Sequence, residues 1–210
     1  MANATKSELR KDVLARRSAL DQAAISRDSA IIRQRLLRLP EWEDAGTILC
    51  YVSMVHEVDT QKLIEEALGR RKRVIVPVIG ETNQTGFLSE LKSLRELSSS
   101  RIPGLFEHSP KYHRPAEPRE VEVAIIPGVV FDPYGGRIGF GGGYFDRLLP
   151  QMPNCIRIGL AFSLQISKQA LPIEEHDIRM HKVITETEIL MPRPSSPGEH
   201  SNGAAHPYLS

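Results

Sequence analysis

Apolar residues fall into short runs separated by helical stripes along most of the chain. TILCYVS (47–53), RVIVPVI (73–79), EVAIIPGVVF (122–131), CIRIGLAF (155–162) and KVITETEI (182–189) each have the length and β-branched content of a strand, and TGFLSELKSL (85–94) contains another. Between them the pattern changes to a helical period. Residues 4–20 and 22–39 read as two helices broken near Asp21, with Leu9, Val13 and Leu20 on one stripe of the first. Lys6, Arg10 and Arg17 form a second stripe, roughly 60° around the helix from the apolar one, at the edge of a buried face. A further helix, capped by Asp59 or Thr60, runs through about Gly69 with Leu63, Ile64, Ala67 and Leu68 facing inward. Serines and prolines from Ser98 to Pro118 predict a long loop. Alternating strands and helices imply an α/β fold: three layers, a mostly parallel sheet with helices on both faces, in one domain over residues 1–192. The polar segment 193–210 is expected to be a disordered tail.

Composition narrows the function classes. With 27 basic and 26 acidic residues in 210, the net charge of +1 gives no electrostatic footprint for nucleic acid or a membrane. No run is long enough to span a bilayer, and MANATKSELRKD has no apolar stretch of the signal-peptide kind, so a cytoplasmic location is expected. Cys50 and Cys155, both in apolar runs, read as buried reduced thiols and not as a metal pair or a disulfide.

The chemistry concentrates in GGRIGFGGGYFDR, residues 135–147, where six glycines occur in thirteen positions. Each glycine costs conformational entropy and buries no side chain, so such a run suits backbone that must approach something closely. An apolar run precedes it and a segment able to start a helix follows, an order that presents backbone N–H groups to an anion. Arg137 and Arg147 are expected to add charge at the mouth. Two common nucleotide motifs fail: Tyr144 stands where the third glycine of a dinucleotide fingerprint belongs, and the Lys-Ser/Thr pair of a Walker A loop is missing. Glycine content alone leaves an anion-binding loop and a structural turn both open. Ligands of parallel sheets bind beyond the strands' carboxyl ends, where the HEVDT loop, the glycine loop and LPIEEHD could converge.

GRIGFGGGYFDRLL resembles the signature of the 5-formyltetrahydrofolate cyclo-ligase family, also called methenyltetrahydrofolate synthetase. KSELR, YVSMVHEVDT, RVIVPVI, IPGVVFD and LPIEEHDIRMHKVITE occur in that family's order, so the resemblance covers roughly residues 4–190. It implies an ATP-dependent cyclisation of 5-formyltetrahydrofolate to 5,10-methenyltetrahydrofolate, by an enzyme, expected to be a monomer, whose ligands are ATP, a reduced folate and Mg²⁺. On this resemblance ATP meets Lys6, Arg10 and the loop Arg137, Ile138, Gly139, Phe140, Gly141, Gly142, Gly143, Tyr144 and Phe145. Folate meets Val52, Glu57 and Phe140 to Tyr144, while Asp146 and Asp177 hold the metal. No covalent nucleophile is implied. Phe145 replaces a second tyrosine, His108 stands where proline is common, and His176 reads as structural. Two other readings are an enzyme of this family acting on another formamide and a non-catalytic folate- or nucleotide-binding regulator; retention of the cations and both aspartates argues against the second.

Overall fold

The computed structural model describes residues 4–79, 86–100, 104–174 and 177–192, so the expected tail at 193–210 and His176 lie outside the described residues. The first two helices are α1 (Lys6–Ser18) and α2 (Gln22–Leu36). Thr5 and Glu8 form a reciprocal capping box at the start of α1. Asp21, the expected break, caps α2 by accepting the Ala24 N–H at 2.7 Å. The second helix stops at Leu36, short of the expected 39, because Pro40 opens a separate turn, α3 (Pro40–Asp44).

Next come β1 (Thr47–Cys50), α4 (Gln61–Gly69), β2 (Arg73–Ile79) and β3 (Gly86–Leu91). The capping of α4 divides between two residues. Asp59 accepts the Gln61 N–H at 2.8 Å, while the Thr60 hydroxyl turns back to the Tyr51 carbonyl. The expected long loop is not featureless. It holds β4 (Leu97–Ser99) paired with β5 (Phe106–His108), and then β6 (Pro115–Ala116) on the sheet edge. Strands of two or three residues carry no readable period, which is why the sequence did not reveal them. The chain finishes with β7 (Val123–Ile126), the hairpin β8 (Val130–Phe131) and β9 (Arg137–Ile138), α5 (Tyr144–Leu148), β10 (Ile156–Leu160), β11 (Lys182–Ile184) and β12 (Ile189–Leu190).

The main sheet has the order β12-β11-β10-β7-β1-β2-β3-β6. From β11 to β2 the strands are parallel, and the antiparallel pairs lie towards the edges. Both faces are covered, so the central strands are apolar on both sides. Ile48, Val74, Ile125 and Ile158 pack beneath α2, α3 and α4 with Ile32, Leu36, Trp42 and Ile64. Leu49, Ile75, Ala124 and Ile126 point the other way, towards Phe131, Leu148, Leu149 and Met152. The three-layer expectation therefore holds, although the second face is covered by one short helix and a hairpin. Val13 of α1 packs with Val130 and Ile138, laying α1 over that hairpin.

Ile64 is fully buried between α4 and the sheet. Ile64→Ala is expected to cost about 2–5 kcal/mol through lost burial and the cavity left behind. A denaturant titration with an unchanged slope and a lowered midpoint would show it.

The order also fixes where a ligand fits. From β1 the chain crosses in one direction to β2, whereas β7 leads in the other direction to β10 and β11. The switch point therefore lies between β1 and β7, and the crevice opens beyond their carboxyl ends.

Candidate active site

A cleft of about 480 Å³ occupies that position, and its lining includes every residue that the resemblance assigns to a ligand, but not Arg17 or Arg147. Val52 and Glu57 come from the turn after β1, and Pro127 from the turn after β7. Lys6 and Arg10 enter from α1, Asp177 from the segment before β11, and Arg137 to Asp146 form one continuous wall. The facing wall, Leu105, Phe106 and Glu107, belongs to the β4–β5 hairpin that the sequence left as loop.

The glycine segment is open backbone. Among the described residues, no backbone N–H from Gly139 to Gly143 donates to another protein group. Gly141 (φ 106°) and Gly143 (φ 64°) adopt left-handed conformations that a side chain would strain. Arg10 Nε donates to the Gly139 carbonyl at 2.8 Å, which pins the loop to α1. The helix after the loop is only five residues long, so its dipole adds less than the sequence suggested, and the free amides carry the anion-binding potential.

The cations are not spread around the mouth as expected. Arg137 is 6% exposed and donates to Asp146 Oδ1 at 2.6 Å, with its Nε buried and unpartnered. Arg147 is the exposed one, and its guanidinium donates to the Gly142 carbonyl at 2.9 Å. Lys6 donates to Asp177 Oδ2 at 2.6 Å and to Glu174 Oε1 at 2.9 Å. Burial pulls the Lys6 ammonium down, but these two carboxylates outweigh it and hold it above the usual lysine value. Each aspartate expected to hold a metal is thus paired with a cation expected to hold phosphate.

The rest of the cleft is drier. Glu57 is 6% exposed, and its Oε2 accepts the Met54 N–H at 2.8 Å across a tight turn with His56 at φ 63°. Burial raises its carboxyl above the ordinary range, opposed by that hydrogen bond and by the Arg17 charge. The Tyr144 ring rests on Gly86, where any Cβ would come within 2.6 Å of it. Burial, with Glu107 nearby, pushes the Tyr144 phenol up to about 12, so it remains a hydrogen-bond donor at neutral pH. Both cysteines are buried and free, and burial raises their thiols, which makes neither a nucleophile.

A profile of the 5-formyltetrahydrofolate cyclo-ligase family matches residues 2–186. The chain belongs to this family. The 5-formyltetrahydrofolate cyclo-ligase of Escherichia coli K12 is 34% identical over 160 residues, covering 74% of this chain and 86% of that protein. The Mus musculus cyclo-ligase is 28% identical over 202 residues, covering 88% and 95%. An NMR structure of Aquifex aeolicus 5,10-methenyltetrahydrofolate synthetase superposes with a TM-score of 0.77 at 30% identity, covering 94% of this chain and 99% of that one.

Two departures from the cyclo-ligase pattern now have a physical setting. Phe145 keeps an aromatic ring beneath the Arg137 guanidinium, 5.8 Å from its centroid, and contacts Tyr144 edge-on. His108, in place of proline, is buried under the β4–β5 hairpin, 2.9 Å from the Ser89 hydroxyl and 3.2 Å from Glu96. Arg114 grips Glu96 with two nitrogens and helps bring its carboxyl down to about 2. A polar network therefore anchors the wall that carries Phe106 and Glu107. Sequence reading missed that wall and the burial of Arg17, although the cation stripe on α1 had already included Arg17.

Proposed function

We propose that ATP lies along the glycine loop with its phosphates between α1 and Arg137, and that reduced folate fills the drier part of the cleft towards Glu57. The observation that carries this reading is the run of free amides from Gly139 to Gly143 beside Lys6, Arg10 and Arg137. The reaction is that of the family, the ATP-dependent cyclisation of 5-formyltetrahydrofolate to 5,10-methenyltetrahydrofolate with release of ADP and phosphate.

A formamide oxygen is a poor leaving group, so it must first be activated. In the proposed sequence the formyl oxygen takes the γ-phosphoryl group and ADP departs. N10 then attacks the formyl carbon and loses its proton, the five-membered ring closes, and the C–O bond breaks to release phosphate. The chain's part is positioning and charge neutralisation, which dominate phosphoryl transfer. Lys6 and Arg10 would take phosphate oxygens, and the loop amides would solvate others without introducing a rival negative charge. Glu57 is a bidentate acceptor for the pterin's ring N–H and amino donors. Ile138, Phe140, Tyr144 and Phe145, with Val52 and Phe106 opposite, would exclude the water that could hydrolyse the activated formyl group.

Mg²⁺ fits the residues present. Asp146 and Asp177 both line the cleft, and Mg²⁺ needs only one or two protein carboxylates when phosphates and water complete its shell. Those two aspartates would hold it, and when bound it neutralises charge on the transferring phosphoryl group. The proposal includes a monomer.

Mixing the protein with ATP, Mg²⁺ and 5-formyltetrahydrofolate is expected to produce the absorbance of the methenyl product, with one ADP per product. ADP release without that absorbance would favour another formamide substrate. Binding of both ligands without turnover would favour the regulator.

A further inference from the structure

Arg17 is 4% exposed, and among the described residues no carboxylate lies within ion-pair distance of it. The other buried arginine of the site, Arg137, has Asp146. The hydrogen bond that Arg17 makes is long: Nη1 donates to the Gly128 carbonyl at 3.4 Å. Its guanidinium carbon stands 5.4 Å from the centre of the Phe140 ring. Glu57 and Tyr51 act on it electrostatically, and Arg17 acts in return on Glu57. A buried cation held by one long hydrogen bond is expensive, and an apolar side chain of similar size would satisfy packing alone. Its surroundings indicate what the charge is for. Gly128 is in the turn after β7 and Phe140 in the glycine loop, so one guanidinium joins two segments of the cleft and acts electrostatically on Glu57 in a third, the turn after β1.

We propose that Arg17 is a positioning residue for the folate, bracing the Phe140 ring against the Gly128 turn and supplying positive charge to the Glu57 end of the cleft. Glu57 would touch the substrate; Arg17 acts through Glu57 and Phe140. Arg17 from α1 and Tyr51 from the end of β1 are the titratable groups coupled electrostatically to Glu57 among the described residues, with His56 its neighbour in the chain. Burial drives Glu57 towards its protonated form, and Arg17 is one of two influences opposing this. Removing the charge therefore shifts protonation of Glu57 to higher pH, and the acid-side rise in folate KM should move up with it.

This inference rests on the proposed folate half of the site, and the test separates the two. Steady-state constants for both substrates are measured across pH for the wild type, Arg17→Met, Arg17→Lys, Glu57→Gln and the Arg17→Met/Glu57→Gln pair. Arg17→Met is expected to raise the 5-formyltetrahydrofolate KM about tenfold, through the Phe140 ring it abuts and the Glu57 carboxylate its charge supports, while the ATP KM holds. Its acid limb should move to higher pH. In the Glu57→Gln background the same change should add much less and shift no limb. Arg17→Lys keeps the charge without the planar face, so it should restore the acid limb but leave folate KM raised; it also keeps the test running if Arg17→Met folds poorly. Equal rises in both KM values, or effects of Arg17→Met and Glu57→Gln that simply multiply, would reduce Arg17 to a structural bolt and overturn the inference. A Glu57→Gln variant with unchanged folate KM would instead overturn the folate site itself.

Discussion

Asp146→Asn is expected to lower turnover by about a hundredfold or more, the scale for losing one preorganised electrostatic contact at a transferring group, while folate affinity changes little. The substitution is nearly isosteric, so the effect follows from charge. Asp146 is the partner of Arg137, whose guanidinium is buried and has one nitrogen already without a partner. Losing the carboxylate would remove a proposed Mg²⁺ ligand and leave that guanidinium unbalanced. The second effect alone should lower the melting temperature, because stranding one member of a buried pair costs about 3–5 kcal/mol, less here because Asp146 is partly exposed. Titrating Mg²⁺ separates the two. A metal ligand leaves turnover dependent on much higher Mg²⁺, whereas a purely structural pair leaves the Mg²⁺ dependence where it was. Near-normal turnover at limiting Mg²⁺ would remove Asp146 from the metal site.

The second large effect is expected from replacing Lys6 and Arg10 together by glutamine. Glutamine preserves helix propensity and most of the stem packing, so α1 should remain folded on its hairpin. Each charge-assisted hydrogen bond to phosphate is worth about 1.5–3 kcal/mol, so ATP affinity should fall by about tenfold or more. The structure adds a reason for each residue. Arg10 fixes the loop through Gly139, so its loss disorders the amides as well as removing a charge. Lys6 holds Asp177, so its loss leaves that carboxylate beside Glu174 with less opposing charge. Folate binding should hold. A double variant that binds ATP normally by calorimetry would make this face of α1 packing alone.

Much of this was legible in the sequence because the relevant signals are local and regular. RVIVPVI occupies β2 without an error at either end, and Asp21 caps where it breaks the helical period. Of the stripe on α1, Lys6 and Arg10 line the cleft and Arg17 is buried against Phe140. Signals that depend on distant partners were harder to read. Nothing in the spacing of Arg137 and Asp146 announces that they pair across a glycine loop, so Arg137 looked like charge at the mouth. Strands β4, β5 and β6 are too short to show alternation, and their place comes from the Ser89–His108–Glu96–Arg114 network, whose members lie far apart in the chain. Arg17 looked like any other cation on an arginine-rich helix because burial is decided by what folds over it. The segment able to start a helix does so at Tyr144, and α5 ends at Leu148 because Pro150 follows so closely.

The bonds from Lys6 to Glu174 and Asp177 join the first helix to a segment next to the last parallel strand. Lys6 leaves the ribosome well before Asp177, which lies 171 residues further along the chain. A nascent chain can therefore assemble α2 to α4 on the first strands well before it has the proposed phosphate pocket. Once the clasp forms, the proposed nucleotide site draws on α1 and on the segment before β11 together, so saturating ligand should slow the opening of both.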